Sequence, residues 1–354
     1  MSQATSNNPV PTLAALMDTA EAQWRLFDLG RKIQPISKNE FALIEQNQKP
    51  YPYPIQQKAR FALVFWQQAN SQQSMENPFI WFLQFDVDEM GLLKLQQRDH
   101  YISLVIKALG EEFISKGDEK SSELDNHPYS FTPDQNRQAA FNAQVKVALK
   151  QPASLHYEHV QAYFAGQIDI DKWQELSIQG IADFCARLTD GNNEQGLINL
   201  LPDLSVQTLS VLGANLEHQD ISLPLTQALI DLQDQKLAEQ DNEEVLYLLR
   251  SLAGSVAKPL IKKQLTKLLN SEEALDQTLF IIIAGRLWSY LEDKELLHLF
   301  FEKLAANHDQ ELFNGLFADL VSVPTTRNLV LGMLRDPSRP DHVSRALGAI
   351  FAQA

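Results

Sequence analysis

Asp86, Asp88 and Glu89, at the carboxyl end of the apolar run Phe79 to Phe85, are the residues best spaced for chemistry. Side chains two apart on an extended chain project to the same side. Asp86 and Asp88 can therefore share a divalent cation, or set a nucleophilic carboxylate beside a general acid. The fourth residue after Asp86 is Met90, and no parallel-sheet pattern follows to supply further catalytic loops, so a charged hairpin tip accounts for the same residues without chemistry. His156 and His159, with Glu158 between them, lie one helical turn apart and could bind one metal ion. Neither a third ligand nearby nor His-Glu-x-x-His spacing supports that pair. Cys185 sits among Ile181, Phe184 and Leu188 at core spacing and reads as a small core residue rather than a nucleophile. With no Gly-x-Gly-x-x-Gly or phosphate-loop pattern present, no cofactor is expected.

A short sheet must position those carboxylates. Phe61 to Trp66 and Phe79 to Phe85 are apolar on both alternating faces, as in strands covered on both sides. Asn77-Pro78 and Asp88-Glu89-Met90-Gly91 bracket the second run, and Leu92 to Leu95 resumes apolar character, so strand, turn and strand are expected there. The run Pro50-Tyr51-Pro52-Tyr53-Pro54 cannot be helical, because each proline biases the residue before it toward extended geometry. Tyr51 and Tyr53 are expected to pack on the domain, or else to meet a partner.

These residues carry a resemblance. Pro50 to Pro54, Asn77 to Leu83, Asp88-Glu89 with Gly91 to Leu93, and Arg98-Asp99 resemble an uncharacterised proteobacterial family of proteins of about this length, whose function is unknown. The match is most specific over residues 25 to 105. It implies a bacterial cytoplasmic protein and brings no site residues with it.

Composition narrows the field of partners. The 354 residues carry 45 acids against 30 bases, a net charge of −15 that repels phosphate backbones, so nucleic-acid binding is disfavoured. One cysteine rules out an internal disulfide and fits a reducing compartment. The first twenty residues contain no Lys or Arg, and an apolar run such as Leu279 to Ala284 is far short of the roughly 18 residues that span a bilayer. No membrane association and a cytoplasmic location are expected.

Along the chain, Thr12 can cap a helix in which Leu13, Leu16, Met17, Ala20, Trp24 and Phe27 recur at helical spacing up to Gly30, and Asp99 can cap a second one. The stretch 116–136 is charged and carries Pro128 and Pro133, the mark of a linker. Beyond it the spacing is helical throughout, with starts near Asp134, Ser154, Ile170, Asn193, Ser205, Leu223, Asn242, Ala257, Glu272, Asp293, Asp309, Thr325 and Asp341. Every second start from Ile170 advances by 30 to 37 residues, the step of paired helices that stack in series.

The fold class expected is α+β: a small mixed amino-terminal domain with a short sheet over 1–115, a linker over 116–136, and an irregular HEAT-like helical array over 137–354, with a compact helical bundle as the alternative. Function follows as non-enzymatic binding of another protein, the alternative being a metal-dependent hydrolase built on Asp86, Asp88 and Glu89. Two charged surfaces could meet a partner. One is the acidic run Asp231, Asp234, Glu239, Asp241, Glu243 and Glu244, opposed by Lys236; the other gathers Arg327, Arg335, Arg339 and Arg345.

Overall fold

The computed structural model describes residues 10–67, 78–114, 127–271 and 276–352. The chain divides into two units, 1–132 with 321–324, and 133–320 with 325–354. The first half of the expected linker, 116–126, lies outside the described residues, but 127–131 is built into the sheet unit: Gln84 N donates to Tyr129 O (2.8 Å) and Phe131 N to Phe82 O (3.2 Å). The polar, proline-bearing composition of that stretch conceals a pairing segment made of backbone bonds and two aromatic rings.

In the first unit, helix α1 (Leu13–Thr19) is capped by Thr12, whose hydroxyl accepts from Ala15 N at 3.0 Å. It stops well short of the expected Gly30. Glu21 takes a left-handed backbone (φ 51°), and β1 (Ala22–Asp28) follows. Trp24 and Leu26 point into the core while Gln23 and Arg25 are exposed, a two-residue alternation that also fits a helical stripe. Four strands, β1, β2 (Gln34–Ile36), β3 (Lys58–Gln67) and β4 (Phe79–Asp86), form an antiparallel sheet in the order β2-β1-β3-β4. Leu92 to Leu95 is not a strand. One bridge joins Val87 to Leu93, and helix α3 (Leu95–Ile114) has already begun where Asp99 was expected to cap it.

One face of the sheet buries Trp24, Leu26, Phe61, Leu63, Leu83 and Phe85 under α1, α2 (Lys38–Glu45) and α3. The Phe61 ring occupies the middle of that core, with Phe41, Phe85 and Tyr51 at centroid distances of 5.6, 5.7 and 6.4 Å. The far end of the sheet is less covered than its composition implied. Phe79 is 67% exposed and stacks on Phe65, and Trp81 is only half-buried against Phe65 and Tyr101.

The second unit is helical. Its members are α4 (Gln135–Ala148), α5 (Tyr157–Phe164), α6 (Ile178–Cys185), α7 (Asn193–Leu200), α8 (Val206–Leu216), α9 (Leu223–Glu239), α10 (Asn242–Ser251), α11 (Lys258–Leu269), α12 (Gln277–Arg286), α13 (Lys294–Ala306), α14 (Gln310–Ser322), α15 (Pro324–Met333) and α16 (Asp341–Ala352). Side-chain caps set several starts, among them Asp134 for α4, Ser205 for α8, Ser222 for α9 and Asp293 for α13. The single helix expected from Ile170 through Cys185 is two elements, because Leu176 adopts an extended backbone and Ser177 caps a new start at Gly180 N. The expected start at Glu272 lies outside the described residues.

Several side-chain hydrogen bonds of this unit join positions about 30 residues apart. Ser222–Glu194, Thr226–Ser255, Gln264–Asp234, Lys262–Asp293, Gln161–Asn193 and Gln277–Asp309 are separated in sequence by 28, 29, 30, 31, 32 and 32 residues. The separations fall near the step read from the helix starts.

The packing predicts an ordering of aromatic deletions in the sheet. Phe61→Ala is expected to cost about 3–5 kcal/mol, the range for a fully buried ring, and Trp81→Ala clearly less, since some of its surface already meets solvent. Denaturant midpoints at constant m-value measure both. Equal losses would place the Trp81 ring as deep as Phe61.

Candidate functional site

Each nominated aspartate at the end of β4 holds a structural contact. Asp86 Oδ1 accepts from Lys58 Nζ at 2.7 Å and Oδ2 from Gln97 Nε2 at 2.8 Å, while Lys94 Nζ stands 3.7 Å away. The Lys58 bond first, then the Gln97 amide and the two lysine charges, hold the Asp86 pKa below the ordinary carboxylate value against partial burial. Asp88 Oδ1 accepts from Met90 N (2.8 Å) and Leu92 N (2.9 Å), the side-chain turn that carries the chain from β4 toward α3. Glu89 is exposed at the tip. Asp86 thus serves the sheet and Asp88 the turn.

The two histidines stand at the start of α5, near the surface. His156 precedes α5 and is exposed; His159 Nε2 lies 3.8 Å from Glu175 Oε2, also near the surface. Among the described residues, no group of three or more His, Cys, Asp or Glu is placed to hold a metal ion. Cys185 is buried, and its surroundings push the thiol pKa well up, which keeps it un-ionised.

Tyr51 is a core residue and offers no ring to a partner. It is fully buried, and its hydroxyl donates to Asp28 Oδ1 at 2.7 Å; burial, followed by the Asp28 charge and that bond, drives its pKa well above the usual value. Asp28 also accepts from Gly30 N (3.1 Å) and Arg31 N (3.2 Å), and Arg31 Nε donates to Pro54 O at 2.8 Å. Gly30 is the crossing point: a Cβ there would lie 2.9 Å from Tyr53 O. The proline-tyrosine run is thus drawn into the fold by polar groups that apolar spacing does not reveal. Tyr53 remains half-buried, its pKa raised by burial and then by Glu40 and Asp28.

The acidic run is genuine but partly neutralised. Lys236 Nζ lies 3.0 Å from Glu244, 3.4 Å from Glu239 and 3.6 Å from Asp241, and Lys267 Nζ pairs with Asp234 at 2.8 Å. Asp231 accepts from Gln227 and Glu243 from the Tyr247 hydroxyl. Asp231, Glu239, Asp241 and Glu243 face solvent; Asp234 and Glu244 are half-buried.

Sequence reading missed the strongest charge constellation. Glu217 closes α8 with its side chain 1% exposed, and guanidiniums from three other helices converge on it. Arg250 Nε of α10 is 2.7 Å from Oε2, Arg286 Nε of α12 is 2.9 Å from Oε1, and an Arg137 terminal nitrogen of α4 is 3.9 Å away. The buried His218 ring adds a contact at 3.5 Å. Burial works against the Arg250 charge, yet the Glu217 bond and the nearby Glu217 and Asp134 charges leave its pKa raised. A sequence signal existed: Arg250 follows Glu217 by 33 residues, within the step read from the helix starts, and each stands at the carboxyl end of its helix. Without three-dimensional pairing, those charges are indistinguishable from solvated ones.

A family model described as a protein of unknown function (DUF3549) matches residues 8–351. The chain belongs to that family. No curated protein and no solved structure matches it. The family's extent takes in both units, well beyond the stretch around the sheet where the resemblance is most specific. Among the described residues of this family member, no helix is long and apolar enough to cross a membrane.

Two outcomes test this account. Removing one member of a buried, bonded charge group strands the others, so Glu217→Gln is expected to lower stability by about 3–5 kcal/mol, and Arg137→Gln, at 3.9 Å, by less. Equal midpoints for Glu217→Gln and wild type would refute the burial. Asp86 has a depressed folded pKa, so its contribution is present above the unfolded value near 3.9 and is lost as pH falls through the folded one. The difference in midpoint between wild type and Asp86→Asn should be flat from about pH 5 upward and shrink below about pH 4. A difference that grows on acidification would reverse the sign.

Proposed function

We propose that this protein is a non-catalytic scaffold, a HEAT-like array of stacked helix pairs that binds another protein along its edge. The observation that carries the proposal is the set of polar bonds linking residues 28 to 32 apart, one helix pair to the next. Serial stacking of this kind brings residues at one position of each pair into continuous rows, the extended surface by which helical arrays hold partners. The exposed acids Asp231, Glu239, Asp241 and Glu243 mark the α9–α10 junction as the edge facing a basic partner. Its proposed setting is the bacterial cytoplasm, supported by a single cysteine in the whole chain.

Charge reversal at the edge tests the proposal. Glu244 is half-buried on Lys236, so Asp241 and Glu243 are the positions to reverse. With a partner captured by the full-length protein, the double lysine variant is expected to fold with a stability change within about 0.5 kcal/mol. It should associate more slowly at low salt, with the rates converging near physiological ionic strength, where the Debye length is about 8 Å. An unchanged on-rate at low salt would remove the acidic edge from the binding surface.

A further inference from the structure

Arg345 belongs to the carboxyl-terminal arginine group that the scaffold reading leaves unused. Within that group, Arg339 is committed to the fold: its guanidinium donates to Met333 O (2.9 Å), Leu334 O (2.5 Å) and Ser344 Oγ (2.9 Å). Arg345 differs. It is exposed on α16, and its side chain has no hydrogen bond or ion pair with any described residue. It stands on the wall of a cleft of about 190 Å³ formed where α13 turns into α14 against α16.

The cleft has an apolar floor and a polar rim. Ala305, Phe313 and Ala346 make the floor; His308, His342 and Arg345 stand on the rim beside Asp309. Its walls are tied together by two bonds, from Gln310 Nε2 to Ala346 O (2.9 Å) and between His342 Nε2 and Glu302 O (3.1 Å). A site held by such ties is preformed, so a ligand does not have to order it. Asp309 is occupied as well: it caps α14 through Leu312 N (2.8 Å) and accepts from Gln277 Nε2 (2.6 Å). One cation is thus left over at a small, partly apolar cleft in a protein of net charge −15.

We propose that this cleft binds a monocarboxylate attached to a small apolar group, with Arg345 gripping the carboxylate and Phe313, Ala305 and Ala346 covering the apolar group. Three features select that chemistry. The volume is below the roughly 300 Å³ at which drug-sized sites begin, so the ligand has only a handful of heavy atoms. A planar guanidinium fork matches a planar carboxylate with two parallel bonds. A single arginine beside the Asp309 carboxylate favours a monoanion over the double charge of phosphate. The same chemistry is offered by a free short-chain acid or by the last residue of a partner chain. The assignment stands apart from the acidic edge and does not depend on it.

Calorimetric titration of sodium isobutyrate into the full-length protein at fixed ionic strength tests the assignment. One saturable site with millimolar affinity is expected, weakened at least tenfold in Arg345→Gln and unchanged within twofold in Arg335→Gln, another exposed arginine of the same group. Isobutyramide, which has the shape without the charge, should bind at least tenfold more weakly. Absence of saturable binding, equal affinity for Arg345→Gln with its folding midpoint intact, equal affinity for the amide, or inorganic phosphate competing as well as isobutyrate would each overturn the proposal. Given a carboxylate site, a heptapeptide ending in a free valine carboxylate separates the sources. Binding tighter than isobutyrate identifies a chain terminus, and weaker binding a free acid.

Discussion

A carboxylate buried at the carboxyl end of a helix sits in the least favourable place for negative charge, desolvated and facing the negative end of the helix dipole. Glu217 occupies that position at the end of α8, and it is tenable because Arg250, Arg286 and Arg137 surround it. The dependence runs both ways. Three guanidiniums held close together would repel one another, and the carboxylate they share offsets that repulsion where α4, α10 and α12 bring their charges together. α8 packs against α4 and α10, and α10 against α12, so the charge group sits where these contacts meet.

Much of the architecture could be read from residue spacing. The starts read near Asp134, Ser205 and Asp293 fall within a residue of those observed, and each of these residues proves to be the cap, a side chain acting on backbone groups only a few positions away. The spacing failed where two periodicities overlap. Leu13 to Phe27 fits a helical stripe, but Trp24, Leu26 and Asp28 equally fit alternation along a strand, and pairing with β3 on one side and β2 on the other decided the matter. No local rule contains that information.

Polar sites were harder to read than apolar ones for a related reason. Asp86 and Asp88 look like a pair in sequence, yet one bonds Lys58 across the strands and the other bonds the turn that follows it. The sequence leaves Tyr51 either packing on the domain or meeting a partner, and it is a buried aspartate twenty-three positions earlier, taking its hydroxyl, that fixes the ring inside. A charged residue advertises itself in sequence whether solvated or buried, and only its partner tells the two apart. For Tyr51, Asp86 and Glu217 a partner lies 23, 28 and 33 residues away.

In the serial stacking proposed for the helical unit, the polar bonds between neighbouring helix pairs also give cooperativity a length. Where a pair is joined only to the next one, as Lys262 joins Asp293, separating the two disturbs a single interface, and fluctuations at the end of the unit need not travel inward. Glu217 breaks that rule by bonding residues of two successive pairs at once, Arg250 and Arg286. Around it, the interfaces among α8, α10 and α12 cannot open singly without exposing a naked charge, so this middle block opens as a whole or stays closed. One side chain, Glu217, thus couples the opening of three helices.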